Sequence, residues 1–217
     1  MDYTNKVELI GTYGGDETHA LSAWTSTSRD LTEEKRDRMD KLLKMLGENN
    51  HHTPFEKSSL HFLITTEIAS HIQILKHRIS VSFNAESARY RKLNDGKFYI
   101  PNDWAQDEQA LLITHCQDSY GKYCACLDRL VAAGIPRKRA KESARFYLPY
   151  ANQLTADVMF NFRSFMHFVG LRNSPDAQKE IRDLAQKMLI LADETGQFHM
   201  SLEAFGWTKE KIYGQAV

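Results

Sequence analysis

The sequence has little that would mark a membrane-bound, secreted or nucleic-acid-binding protein. Its 217 residues include only three cysteines, and 28 basic residues are balanced by 28 acidic ones. A formal net charge of zero excludes the broad positive field that draws proteins to nucleic acid or anionic membranes, so any anion site must be local. No window approaches the ~18 consecutive apolar residues of a membrane span, and the N-terminus lacks a basic region followed by an apolar run. We therefore expect a cytoplasmic protein with no membrane and no nucleic-acid partner.

Several familiar catalytic patterns are also missing. Cys124 and Cys126 are spaced C-x-C, which matches neither a redox C-x-x-C pair nor paired zinc knuckles, and Cys116 stands apart. We interpret all three as reduced, structural thiols. The chain contains neither the glycine pattern of dinucleotide-binding folds nor a P-loop, and no serine lies in G-x-S-x-G. A nucleotide site would have to be built differently here.

Apolar spacing predicts a helix-rich α+β fold around a small sheet. Leu60, Phe62 and Ile64 alternate at period two and predict a strand in SSLHFLITT, and VELIGTYGG predicts another. Helical spacing and capping residues predict helices over 17–24 (capped by Asp16), 33–46 (capped by Thr32, ended by Gly47), 68–78 (with Lys76, His77 and Arg78 at its C-terminal end), 106–133, 136–148, 161–171, 176–194 and 201–207. Because no repeat, linker or low-complexity segment interrupts the chain, we predict one domain over residues 1–217.

The segment KHRISVSFNAESARY, residues 76–90, and the two residues after it concentrate positive charge. Its cations are Lys76, Arg78, Arg89, Arg91 and Lys92, with serine hydroxyls among them. Such a set can neutralise a phosphate and donate hydrogen bonds to its oxygens. A solvated basic loop and a nucleic-acid-binding segment are the alternatives.

Three further arginines, Arg145, Arg163 and Arg172, each lie among apolar neighbours in the sequence. A buried arginine is costly unless an anion pairs with it, and structural salt bridges are the usual explanation. Three such arginines together with the basic segment favour a polyanionic ligand.

The segment NNHHTPFE brings His51, His52 and Glu56 together, and a metal site is one interpretation of it. Adjacent histidines point in different directions, and no third ligand stands at a usual zinc spacing. A turn or capped helix is favoured, and we predict no metal.

The order His77-Arg78, eight residues, Ser87, one residue, Arg89-Tyr90 resembles the signature of the flavin-dependent thymidylate synthases, R-H-R followed by seven or eight residues and Ser. The segments HHTPFE, FYIP, ARFYLP and NFRSFMHFVGLR occur in the order of that family, so the resemblance covers residues 7–189. The chain departs from the pattern at Lys76, which replaces the first Arg, and at His167, where Asn is common.

The resemblance implies a homotetramer of α+β subunits with active sites at subunit interfaces. The implied reaction is the reductive methylation of dUMP to dTMP, with 5,10-methylenetetrahydrofolate as one-carbon donor and NAD(P)H as reductant through FAD. The family uses no catalytic cysteine. A reductase of another kind that also binds flavin is an alternative.

The resemblance also implies the site residues. Matches to flavin-binding positions are Ser26, His51, Thr53, Glu56, Lys76, His77, Arg78, Ile79, Glu86, Asn161, Arg163 and His167. Matches to dUMP-binding positions are Gln73, Lys76, Glu86, Ser87, Ala88, Arg89, Arg145 and Arg172. Arg172 matches the arginine that activates the uracil ring and is the predicted catalytic residue. His77 and Arg78 are expected to supply positive charge beside the flavin.

Overall fold

A computed structural model describes residues 3–28, 30–87, 89–90, 92–93 and 97–214. The strands are β1 (Lys6–Tyr13), β2 (Ser59–Glu67), β3 (Val81–Ala85) and β4 (Gln153–Asn161), and they form one sheet in the order β1-β2-β4-β3. The helices are α1 (Asp16–Trp24), α2 (Glu33–Arg36), α3 (Met39–Glu48), α4 (Ile68–Leu75), α5 (Gln106–Ala132), α6 (Arg137–Ala144), α7 (Phe162–Arg172), α8 (Lys179–Glu194), α9 (His199–Ala204) and α10 (Lys209–Tyr213). Short 3-10 turns span Thr53–Glu56 and Arg145–Tyr147. The predicted α+β class is confirmed.

The chain divides into two compact units. The described residues within 1–6, 64–75 and 84–156 form the first unit, and those within 7–63, 76–83 and 157–217 form the second. The single domain over residues 1–217 stays a prediction.

The first unit packs around the long helix α5. Tyr123 and Leu127 on α5 are buried against Ala140 and Ala144 of α6. Cys116, also on α5, is buried with Phe98 and Ile100. The small alanines let α6 lie close to α5, so this part of the core is held by side chains from only a few turns of helix.

The second unit has an aromatic core. Phe55, Phe162 and Phe198 surround the fully buried His19, with ring centroids 5.2, 5.2 and 6.2 Å from the imidazole. His19 hydrogen-bonds to Ser201 Oγ at 2.8 Å and to Ser58 Oγ at 2.6 Å, so both ring nitrogens are satisfied inside the core.

The Asp16 cap that the sequence predicts is wrong. Gly15 is the N-cap of α1, and Asp16 is the first helical residue. Its carboxylate accepts hydrogen bonds from the backbone N–H groups of Met200 and Ser201, both at 2.9 Å, at the start of α9. Asp16 therefore caps a helix that follows more than 180 positions later.

The predicted helix over 33–46 is two helices. Thr32 is confirmed as the cap of α2, since its Oγ1 accepts from Lys35 N. The chain leaves helical geometry at Arg38, because the residues of α2 are all charged and bury nothing, whereas α3 begins where the apolar face of Met39, Leu43 and Leu46 begins. Gly47 lies inside α3 instead of ending it.

Other boundaries differ as well. Helix α4 ends at Leu75, so Lys76, His77 and Arg78 follow the helix instead of forming its C-terminal end. Strand β3 was not predicted. The predicted helix over 136–148 ends at Ala144, with Pro136 as its N-cap, and continues as a 3-10 turn. Strand β4 and helix α10 were not predicted.

Candidate active site

A pocket of about 870 Å³ lies in the second unit, between the segment after α4 and the exposed face of α7. Eight of the predicted site residues line it, namely Glu56, Lys76, His77, Arg78, Ile79, Arg163, His167 and Arg172. The volume falls in the range typical of small-molecule sites. Sequence reasoning did not assign His52, Ser80, Val81, Ser164, Met166, Leu171 and Phe205, which also line it.

Helix α7 presents one face to this pocket because its other face is core. Phe162, Phe165 and Phe168 are fully buried, whereas Arg163 and His167, one turn apart, are exposed. Asn161 is the N-cap of α7, and its Oδ1 accepts a hydrogen bond from Ser164 N at 2.8 Å. Asn161 therefore fixes the helix start and does not itself line the pocket.

The opposite wall is the backbone between α4 and β3. Ser80 has a positive φ of 52°, uncommon for a residue with a Cβ, and its carbonyl accepts from Asn161 N at 3.2 Å. This bond ties the wall to the start of α7. The Ile79 side chain is 84% exposed, which is unusual for an apolar residue and leaves it available to a ligand or a partner chain.

The pocket is positively charged. Its described lining carries four cationic side chains, Lys76, Arg78, Arg163 and Arg172, against the single carboxylate of Glu56. Arg163 Nη1 donates to Glu56 Oε1 at 2.5 Å. The balance suits an anionic ligand.

None of the three arginines that the sequence places among apolar neighbours is buried. Arg145 and Arg163 are exposed, and Arg172 is half-buried. The expectation of buried arginines is therefore wrong. The buried phenylalanines beside Arg163 belong to the opposite face of α7, whereas Phe146 and Tyr147, which follow Arg145, are themselves exposed.

Arg172 contacts His77 directly. Arg172 Nε donates to His77 Nε2 at 3.0 Å. Burial, followed by the nearby Arg172 and His167, lowers the pKa of His77 to about 4. The expectation that His77 adds positive charge is therefore wrong: at neutral pH it is uncharged, and Arg78 alone of that pair carries charge.

Ser26, His51 and Thr53 do not line this pocket. All three are exposed, and the Ser26 hydroxyl donates to Ala23 O at 3.0 Å. Their flavin contacts stay predictions.

Of the predicted dUMP contacts, Gln73, Glu86, Ser87, Arg89 and Arg145 lie in the first unit, whereas Lys76 and Arg172 belong to the second. Glu86 Oε2 accepts from Lys97 Nζ at 2.9 Å and from Thr155 N at 3.0 Å. Lys97 thus balances the charge of Glu86, so this carboxylate repels an approaching phosphate less than an unpaired carboxylate would. Gln73 is half-buried on α4.

Arg89 is held beside Ser87. Arg89 N donates to Ser87 Oγ at 3.3 Å, and Arg89 Nε donates to Glu142 Oε1 at 2.9 Å. The guanidinium lowers the pKa of Glu142. Arg145 begins the exposed 3-10 turn. Ala88 and Arg91 lie outside the described residues.

Metal binding finds no geometric basis in the described part of the chain, where no three His, Cys, Asp or Glu side chains are grouped to hold an ion. Thr53–Glu56 is a 3-10 turn, and the His52 ring packs on Phe205 with centroids 4.8 Å apart.

Cys116, Cys124 and Cys126 are free thiols. Within the same residues, no helix has the length and apolar character to cross a membrane.

Comparisons with known proteins agree on one family. Residues 8–195 match the family model described as thymidylate synthase complementing protein. A flavin-dependent thymidylate synthase of Pseudothermotoga lettingae is 33% identical over 186 residues, covering 82% of this chain and 80% of that protein. One from Streptomyces avermitilis is 30% identical over 210 residues, covering 84% and 83%.

Solved structures with a similar fold were also found. A UMP/dUMP methylase, PolB from Streptomyces cacaoi, bound with 5-Br dUMP, superposes with a TM-score of 0.77 at 27% identity, covering 95% of this chain and 96% of that one. The same enzyme bound with 5-Br UMP gives a TM-score of 0.76 at 25% identity, covering 95% and 97%.

Proposed function

This chain belongs to the family of flavin-dependent thymidylate synthases, and we propose that it methylates dUMP at C5 of the uracil ring to form dTMP. We further propose 5,10-methylenetetrahydrofolate as the one-carbon donor and NAD(P)H as the reductant acting through FAD. We also propose a cytoplasmic homotetramer with active sites at subunit interfaces.

The observation that carries this proposal is the positively charged pocket. His77 and Arg172 are 95 positions apart, yet they meet there. The segment 76–79 and the exposed face of α7, which the family resemblance selects independently, line one cavity. A basic loop that only faced solvent would not be expected to lie across a pocket of this size from a second motif of the same family.

The donor set of the pocket fits FAD, which carries a diphosphate and an aromatic ring system. Lys76, Arg78 and Arg163 would hold the diphosphate through charge-assisted hydrogen bonds, and Met166, Leu171 and Phe205 offer apolar surface to a ring. FAD, when bound, supplies the reducing equivalents that turn the transferred methylene group into a methyl group.

Arg172 is the proposed catalytic residue. Uracil must become electron-rich at C5 before it can accept a methylene group, and a cation near N3 and the adjacent carbonyl oxygen stabilises the ionised ring. The half-buried guanidinium donates from Nε to His77, and its terminal N–H groups are the donors that we propose for this role.

Arg89, Arg145 and Ser87 are the proposed phosphate ligands. Each charge-assisted hydrogen bond to the phosphate contributes about 1.5–3 kcal/mol. The pair between Arg89 and Glu142 is partly exposed and weak in water, so a phosphate dianion can replace the carboxylate. Ser87 acts as a ligand group and not as a nucleophile.

UMP is a second candidate substrate, because the superposed PolB structures are of a UMP/dUMP methylase, one of them bound with 5-Br UMP. The two nucleotides differ only in the ribose 2′-hydroxyl. Parallel turnover assays with dUMP and UMP separate the two candidates, and we expect dUMP to be methylated with the higher kcat/KM.

The visible absorption spectrum tests the proposal most directly. Purified protein loaded with FAD is expected to be yellow, and dUMP is expected to perturb the flavin bands, whereas dCMP is not. A protein that takes up no FAD would contradict the flavoenzyme assignment. A flavin spectrum that is indifferent to dUMP would instead indicate a reductase of another kind.

A variant tests the catalytic residue. Arg172→Ala is expected to retain the fold and bound FAD but to lose dTMP formation. Arg182→Ala, an arginine on α8 that does not line the pocket, is the matched control. Near-normal turnover of Arg172→Ala at saturating dUMP would refute the role.

A further inference from the structure

We propose that His77 is a positioning residue, whose imidazole accepts a hydrogen bond from Arg172 and orients the guanidinium group toward the uracil ring. The inference rests on the proposed function and adds a role for His77 besides a flavin contact.

The hydrogen bond fixes the state of the imidazole. An arginine only donates, so His77 Nε2, 3.0 Å from Arg172 Nε, must be the acceptor, and the ring proton lies on Nδ1. Arg172 uses one of its five N–H donors in this contact. The guanidinium is planar, so the bond at Nε also sets the plane and direction of the two Nη groups.

The imidazole itself is held by α7. Phe168 packs edge-on against the His77 ring with centroids 5.0 Å apart, and His167 lies at 5.8 Å. Phe168 is fully buried, so it forms a rigid support. Phe168 and Arg172 both belong to α7. The imidazole therefore packs against one turn of this helix and, through its hydrogen bond, holds the last helical residue in place.

The protonation state agrees with this geometry. Burial, Arg172 and His167 together lower the pKa of His77 to about 4, so Nε2 carries no proton near neutral pH. The remaining titratable and charged groups that line the pocket are His52, Glu56, Lys76, Arg78 and Arg163. Most of these are cations, which disfavour a second positive charge on His77.

Two substitutions separate positioning from a flavin contact. His77→Leu removes the acceptor, and His77→Gln replaces it with an amide oxygen. With FAD saturating, we expect kcat of His77→Leu to fall on the order of 10²-fold, since misplacing a catalytic group by about 1 Å costs that much. We expect KM for dUMP to change less, and His77→Gln to recover most of the loss.

His52→Leu is the matched control, because His52 lines the same pocket but packs on Phe205. Its kcat is expected to exceed that of His77→Leu. Equal effects of the two substitutions on kcat, no recovery by Gln, or a His77→Leu enzyme with weakened FAD binding and normal kcat would overturn the proposal.

Nitrogen-15 NMR of histidine-labelled apoprotein gives a readout that needs no activity. We expect His77 Nε2 to show the shift of an unprotonated acceptor at pH 7, and Arg172→Ala to raise the titration midpoint of His77. A proton on Nε2 at pH 7 would overturn the proposal. A wild-type enzyme that forms no dTMP would contradict the proposed function, and the NMR result would still decide whether the contact exists.

Discussion

Mild acid is expected to destabilise the second unit, because its core holds His19 in the neutral form. The His19 side chain is fully buried among phenylalanines, and burial lowers its pKa from the usual 6.5 to about 3. Ser201 Oγ donates to Asp16 Oδ1 at 2.5 Å, so Ser201 accepts from His19 Nδ1–H, and Ser58 donates to Nε2. A proton on Nε2 would break the Ser58 bond and place a charge in an apolar core.

The sign and size follow from proton linkage. Between pH 6.5 and about 3 the unfolded chain binds a proton at residue 19 that the folded chain does not, so stability falls as the pH is lowered through this window. Each unit of difference in pKa corresponds to ~1.36 kcal/mol, so His19 alone removes about 2.5 kcal/mol between roughly pH 7 and pH 4.5. This is a large fraction of the ~5–15 kcal/mol that a domain usually has.

Urea unfolding of the apoprotein at pH 7, 5.5 and 4.5, at one protein concentration and followed by tryptophan fluorescence, measures the effect. His19→Gln keeps a donor and an acceptor for the two serines but cannot titrate. Burial also lowers the pKa values of His71 and His77, but both residues are present in both proteins. The difference in pH slope therefore isolates His19. Equal losses of stability in the two proteins between pH 7 and 4.5 would refute the reasoning.

Two further predictions concern backbone positions. An ideal Cβ on Gly47 would lie 2.4 Å from Ala204 O, so Gly47→Ala is expected to destabilise by about 1–3 kcal/mol in urea unfolding; Gly121→Ala in α5, where nothing lies within 4 Å, should stabilise by ~0.5–1 kcal/mol and is the control. Asn161→Ala removes the cap of α7 and is expected to cost about 0.5–2 kcal/mol in the apoprotein, whereas Asn161→Asp keeps the acceptor. Equal unfolding midpoints for Asn161→Ala and Asn161→Asp would contradict the capping argument.

Local patterns predicted the elements that have a clear periodicity. Leu60, Phe62 and Ile64 are fully buried, as the alternation in β2 predicts. A period-two pattern is also present in β4, where Ala156, Val158 and Phe160 are buried and Asp157 and Met159 lie between them, but the motif that follows favoured a helix over 161–171. A search for period two before Asn161 would have found the strand.

Long-range partners could not be predicted. The helix that Asp16 caps follows in the sequence by more than 180 positions, and nothing near Asp16 indicates its partner. The close approach that requires glycine at position 47 likewise depends on α9. Local sequence encodes propensity and periodicity, whereas these contacts depend on how the whole chain folds.

The site was predictable by segment but not by pairing. Family motifs selected Glu56, Arg163, His77 and Arg172, and the structure shows how they combine. Which arginine pairs with which group depends on distances across the pocket, and motif order carries no such information. The sequence also gave no signal for the neutral state of His77, because burial causes it.

The two arginines of α7 have partners of different charge, and this difference bears on their roles. Arg163 pairs with the Glu56 carboxylate, which offsets part of its positive charge. Arg172 is held by an uncharged imidazole, which orients the guanidinium but leaves its full positive charge unbalanced by that contact. A cation that must stabilise negative charge as it develops on a substrate ring needs orientation without neutralisation. The contact between Arg172 and His77 meets this requirement, and a carboxylate in place of His77 would be expected to weaken catalysis even if it held Arg172 in the same position.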